Sequence, residues 1–268
     1  MAYDDIGKGQ AVLLVHGWAV NRGFFADLAH RLQSDFRVIL PDLRGHGQTP
    51  VGDAPISIAQ LADDLADLVD ALDLTRIVAL GWSMGATVLW KMMERDGIDR
   101  LAGLIIEDMS PRVLNDADWS LGMQRGLDAA MSHELQADMR ADWPRFASSF
   151  SPRMFSRDYA IDPDLATRLA QMSDNDREAM AALWASMTDA DFRAALSQIT
   201  IPTCVMHGAQ SQTYSPETSR FLVESMPRAQ RISFARSGHA PHIEEPEAFA
   251  RAVTEFAHRT QSGGGPVE

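Results

Sequence analysis

Six short apolar runs punctuate the chain: Val12-Leu13-Leu14-Val15, Val38-Ile39-Leu40, Ile77-Val78-Ala79-Leu80, Leu104-Ile105-Ile106, Cys204-Val205-Met206 and Ile232-Ser233-Phe234. Each has the length of a strand and is continuous rather than alternating, which predicts central parallel strands buried on both faces. Between the runs the period changes. Across residues 57–72, Leu61, Leu65, Leu68 and Leu72 share one helical face. Ser57, followed three residues later by Gln60, predicts a capping box at the start of that helix. Further helices are predicted over residues 24–33, 84–95, 216–226 and 246–258. Alternation of this kind predicts an α/β fold, a doubly wound and mostly parallel sheet.

The alternation breaks once. Residues 111–198 carry no strand signal, only helix-like segments with prolines at 144, 152 and 163. They read as a helical cap inserted into a core made of residues 1–110 and 199–260. The cap holds Trp119, Trp143 and Trp184, together with methionines at 123, 131, 139, 154, 172, 180 and 187. An insertion over a site has to bury an apolar face, so some of these side chains are expected to line an adaptable apolar pocket. The glycine-rich stretch 261–268 is expected to be a disordered tail.

One segment carries chemistry at once. Gly81-Trp82-Ser83-Met84-Gly85 has the form G-x-S-x-G, after a predicted strand and before a predicted helix. That context makes it a nucleophile elbow, a turn tight enough to need glycine on both sides of Ser83. A serine hydroxyl is a poor nucleophile at neutral pH and needs a general base. His239, in Ser237-Gly238-His239-Ala240-Pro241, follows the last predicted strand and so falls on the same sheet edge; His242 is the fallback. The oxyanion needs two donors. The N–H of Met84 is one; the other is expected from Trp18, because Gly17 lets the backbone turn after Val15-His16. Trp18 and Trp82 are also expected in the pocket wall, and His16 is expected to act as a structural hydrogen-bonder under the loop.

Bulk properties narrow the partners. The 268 residues suit one α/β domain with an insertion, and 46% are apolar. A net charge of −13 argues against nucleic acid or an anionic membrane as a partner. No apolar run approaches the roughly 20 residues that span a bilayer. The first residues show no basic or apolar leader, which makes the cytoplasm the expected location. The single cysteine, Cys204, lies in an apolar run and reads as buried and inert. The histidines lack metal-ligand spacing, so neither metal nor cofactor is implied.

His16-Gly17-Trp18, Asp42-Leu43-Arg44-Gly45-His46-Gly47, the Ser83 elbow and Gly238-His239-Ala240-Pro241 occur in the order found in the α/β-hydrolase superfamily, which this chain resembles over nearly its whole length. The likeness extends to carboxylesterases similar to pimeloyl-ester esterase, which share the His-Gly-Trp loop, the Gly-Trp-Ser elbow and the His-Ala-Pro segment. It implies that the Asp42–Gly47 loop is structural. Only about ten residues precede the first apolar run, so about seven strands are expected.

The resemblance also implies an acid to hold the histidine, and losing it costs about 10⁴ in rate. The family position for it, a few residues past a His-Gly, is occupied here by Ser211 in His207-Gly208-Ala209-Gln210-Ser211. Zearalenone-type lactonases and cofactor-free quinolone dioxygenases, which this chain resembles here, carry the acid at the end of the strand before the cap. Counting eight residues from Arg100, as those families suggest, leads to Asp108; Glu107, Glu217 or no acid at all remain alternatives.

The resulting expectation is a serine hydrolase acting on a small-molecule apolar ester or lactone. A cofactor-free dioxygenase fits the shifted acid, but such enzymes resemble one another in a histidine beside the elbow serine, where this chain has Trp82 and Met84. A haloalkane dehalogenase needs Asp at the elbow and is excluded by Ser83. A non-enzymatic receptor on this scaffold is disfavoured by the presence of both Ser83 and His239. The oligomeric state is not legible.

Overall fold

A computed structural model describes residues 1–261; the expected tail lies outside them except for Gln261, which ends the last helix. The amino-terminal half contains β1 (Tyr3–Gly7), β2 (Ala11–Val15), α1 (Ala26–Leu32), β3 (Arg37–Pro41) and α2 (Ile58–Ala71). Next come β4 (Ile77–Trp82), α3 (Met84–Asp96) and β5 (Leu101–Glu107). Helices α4 (Ala129–Ala141), α5 (Trp143–Phe150), α6 (Pro163–Ala170) and α7 (Arg177–Asp189) follow without an intervening strand. The chain closes with β6 (Thr203–Gly208), α8 (Pro216–Ser225), β7 (Ala229–Phe234), α9 (Pro241–Glu244) and α10 (Pro246–Gln261).

The sheet has seven strands in the order β1-β3-β2-β4-β5-β6-β7, all parallel to their neighbours except β1, which runs antiparallel to β3. Strands β2, β4 and β6 are buried along their whole length, as their continuous apolar runs require. The two edges differ from the sequence expectation. Strand β1 has no apolar run to reveal it, being mostly exposed, and β7 is only partly buried. Both border the sheet, where one side of each strand lacks a neighbour.

Helix α2 begins after Ser57, whose hydroxyl accepts the Gln60 N–H at 3.2 Å. The reciprocal half of the expected capping box does not form, because the Gln60 amide donates to Asp64 at 3.0 Å. Leu61, Leu65 and Val69 are buried on one side of α2, and each such side chain contributes about 1.5–3 kcal/mol relative to exposure.

The four helices between β5 and β6 all start at an aspartate whose carboxylate accepts an N–H of the first turn: Asp128 from Met131, Asp142 from Arg145, Asp162 from Leu165 and Asp176 from Ala179. Pro144 and Pro163 lie in the first turns of α5 and α6, where a missing N–H is harmless. Pro152 is the second residue of a short 3₁₀ turn, Ser151–Met154. This helical cap is tied to the core by specific bonds, among them the Ile58 N–H at the start of α2 to Ser186 Oγ of α7 at 3.0 Å. No helix of the described residues is long and apolar enough to cross a membrane.

Candidate active site

Ser83 joins β4 to α3 with φ 53° and ψ −121°. A non-glycine residue held in such a region stores roughly 1–3 kcal/mol of strain. The flanking glycines permit the turn in two different ways. A Cβ on Gly81 would lie 2.4 Å from the Ala86 nitrogen, within the turn itself. A Cβ on Gly85 would lie 2.1 Å from the Val15 carbonyl oxygen, so Gly85 lets the helix approach β2. The Ser83 N–H donates to the Glu107 carbonyl at 2.9 Å, which carries the β4–β5 pairing as far as the serine.

Met84 is the first residue of α3, and its N–H is among those that a helix leaves without an intrahelical acceptor. The loop after β2 lies alongside: a Cβ on Gly17 would be 3.5 Å from the Ser83 Cβ. His16 fixes that loop from beneath. Its Nε2 accepts the Leu43 N–H at 3.0 Å and its Nδ1 donates to the Gly17 carbonyl at 2.8 Å. Burial pushes its pKa down to about 4, so the ring is neutral. His46 supports Ala19 in the same way, its Nε2 accepting the Ala19 N–H at 3.1 Å, and burial with the neighbouring His16 lowers the pKa of His46 to about 3. In the loop that follows β3, Asp42 accepts from the Arg22 backbone and guanidinium and from the Gln48 N–H.

Asp108 follows β5 with φ 42° and is buried. Its Oδ2 is 2.6 Å from His239 Nδ1 and its Oδ1 is 3.0 Å from His207 Nδ1. The Ser211 hydroxyl also donates to Oδ2, at 2.7 Å. Burial pushes the Asp108 carboxyl up, but the two histidine hydrogen bonds outweigh it and hold the group below the usual carboxylate range. The alternatives are placed elsewhere. Glu107 is buried against His242, accepting its N–H at 3.1 Å and its Nδ1 at 2.7 Å. This occupies both the second acid and the fallback histidine. Glu217 is exposed on α8 and paired with Arg220 at 2.7 Å. Among the described residues no group of three or more His, Cys, Asp or Glu is arranged to hold a metal ion.

His239 is positioned by its backbone. Its N–H donates to the Met154 carbonyl at 2.9 Å, and its carbonyl accepts the Trp82 indole N–H at 2.7 Å. A Cβ on the preceding Gly238 would sit 2.4 Å from the Phe155 carbonyl carbon, so only glycine lets the cap come this close.

Ser83 and His239 share a cavity with Trp82, Thr213 and Tyr214 from the core, while Met123, Phe150, Met154, Trp184 and Met187 enter from the cap. Trp18 closes it, with Trp184 at 5.2 Å and Phe150 at 5.3 Å between ring centroids, both edge-on. The volume is about 20 Å³, enough for about one water molecule. Two expected wall residues are not in it. Trp143 stands behind Trp18, ring to ring at 5.5 Å, with its N–H on the Met172 carbonyl. Trp119 is held by the Asp116–Trp119 turn against Phe221 of α8 and beneath the Arg193 guanidinium, in a separate groove. Phe150 and Tyr214 escaped the sequence reading. Phe150 had a signal, since it repeats the spacing of Trp143 and Phe146 on one face of α5.

An open, mostly parallel sheet, a serine on a strained turn after one strand, and an acid and a histidine brought together after others define the class of α/β-fold hydrolases. The chain matches the alpha/beta hydrolase family over residues 12–252 and belongs to it; it is a hydrolase enzyme. Several of its relatives are named as esterases. The pimeloyl-[acyl-carrier protein] methyl ester esterase of Chromobacterium violaceum is 28% identical over 253 residues, covering 94% of this chain and 96% of the relative. A solved esterase from Exiguobacterium antarcticum superposes with a TM-score of 0.88 at 25% identity, covering 96% of this chain and 94% of that one. A thermophilic esterase from Thermogutta terrifontis gives 0.84 at 30% identity, covering 97% and 93%.

Proposed function

We propose that this chain is a serine hydrolase that cleaves a carboxylic ester or lactone of a small to medium apolar substrate through an acyl-enzyme. The observation that carries the reading is the 2.6 Å contact between Asp108 Oδ2 and His239 Nδ1, with His239 and Ser83 in one cavity. With Nδ1–H engaged by the acid, Nε2 is the basic nitrogen of the ring. His239 takes the proton of Ser83 as its Oγ attacks the acyl carbonyl. The N–H groups of Trp18 and Met84 hold the oxyanion, each donor worth about 3–4 kcal/mol. The imidazolium gives its proton to the departing alcohol. Water, activated by the same histidine, then releases the acid.

The aromatic and methionine lining supports an apolar acyl or ring group. The methyl ester in the name of the Chromobacterium violaceum relative supports a small alcohol leaving group. The test is hydrolysis of p-nitrophenyl esters from acetate to decanoate by the wild type and by Ser83→Ala. Ester turnover lost by about 10⁶-fold in the variant is the expected result, and the chain-length optimum sizes the pocket. Ester turnover that survives in Ser83→Ala would overturn the reading.

A further inference from the structure

One buried histidine has no part in the acyl-transfer scheme. His207 lies in β6, beside the end of β5, and is 2% exposed. Its Nδ1 contacts Asp108 Oδ1 at 3.0 Å, and its Nε2 has no partner. An imidazole buried with one nitrogen unsatisfied costs more than an apolar side chain of similar size. Its contribution therefore lies at Nδ1, on the carboxylate that also holds His239.

We propose that His207 is a positioning residue for Asp108, fixing the carboxylate so that Oδ2 faces His239. The inference rests on the reading of Asp108 as the acid of the Ser83–His239 pair. The last torsion of an aspartate is broad and poorly self-restrained. A bond to Oδ2 alone fixes one oxygen and leaves the plane free to turn about it. A second N–H on Oδ1 fixes the plane, and the Ser211 hydroxyl on Oδ2 adds a third anchor. Ser211 is fixed in turn, since its Oγ accepts the N–H groups of Thr213 and Tyr214, each at 3.2 Å. The residue in the family's customary acid position thus grips the acid that has moved.

The test compares His207→Leu, which removes the donor at similar volume, with His207→Asn, whose amide nitrogen can occupy the place of Nδ1. Misplacing a reacting group by about 1 Å costs on the order of 100-fold. His207→Leu is expected to lose about 10- to 100-fold in kcat with little change in KM, and His207→Asn to recover most of the loss. In the wild type, proton NMR should show two strongly hydrogen-bonded ring N–H signals, both displaced in Asp108→Asn. Wild-type kcat in His207→Leu, a loss that His207→Asn does not repair, or a single such signal in the wild type would overturn the proposal. If Asp108→Asn is inactive while His207→Leu is unimpaired, only the role of His207 fails. If Asp108→Asn turns over ester normally, the assignment of the acid fails first.

Discussion

Two residues at the candidate site, Ser83 and Asp108, hold a positive φ without being glycine, at the ends of neighbouring strands. Strain of this kind persists only where the surroundings over-determine it. For Ser83 those surroundings are legible locally, because the glycines on either side are spelled out in the turn. For Asp108 they are not. Its partner His239 is 131 residues away, and its neighbour Glu107 carries a carboxyl group too. Successive residues at a strand end point in opposite directions, so the choice between them depends on which side each histidine occupies. That is a property of the assembled sheet, and it sends Glu107 to His242 and Asp108 to His239. Asp108→Asn is expected to lower kcat by about 10⁴-fold, measured on the best p-nitrophenyl ester with the fold checked by circular dichroism. A loss below tenfold would mean that the histidine is held by something else.

Five of the strands read from apolar runs are central and the sixth, β7, is an edge; the one that escaped, β1, is the opposite edge. In β1, Asp4 and Asp5 sit where a buried strand would carry valine or leucine. Asp5 reaches across to Arg37 of β3 through two guanidinium bonds of 2.9 and 2.6 Å. Charge on an edge strand discourages pairing with another chain, so the polar pattern that hid the strand has a physical use. The cap helices were legible as a group but not one by one, although Asp128, Asp142, Asp162 and Asp176 mark all four starts. Removing such a cap costs about 1 kcal/mol. Asp162→Ala is expected to lower stability by that amount in urea unfolding and to leave the sheet layer intact. An unchanged midpoint would show that α6 does not depend on its cap.

At the scale of the whole molecule, acid is a specific stress. His16 and His46 are buried and neutral, with pKa values pushed down to about 4 and about 3. An unfolded histidine titrates near 6.5, so on acidification the unfolded chain takes up these protons first. Stability from the two rings is complete above pH of about 6.5 and falls below it, by up to about 1.4 kcal/mol per pH unit for each histidine. Asp108, held below the usual carboxylate range, contributes stability that is present above about pH 4 and lost only below it. The window between pH 6.5 and 4 therefore belongs to the histidines. Relief of self-repulsion as the charge of −13 is neutralised opposes the trend, but it acts between surface charges and is screened by salt. Urea midpoints in physiological salt are expected to drop from pH 7 through pH 5. A flat profile would show that these rings gain protons without unfolding.

Trp18 belongs to two layers at once. Its peptide follows Gly17 beside Ser83, while its indole N–H is fastened to the Met180 carbonyl of α7 at 3.0 Å. Trp184 and Met187 of α7 line the cavity that holds Ser83 and His239, so α7 is part of its roof. Raising it must either undo a buried hydrogen bond or drag the floor along with it. That bond is therefore a latch between the cap and the loop after β2. A turnover rate set by that latch would slow in viscous solvent, where one set by bond-breaking at Ser83 would not.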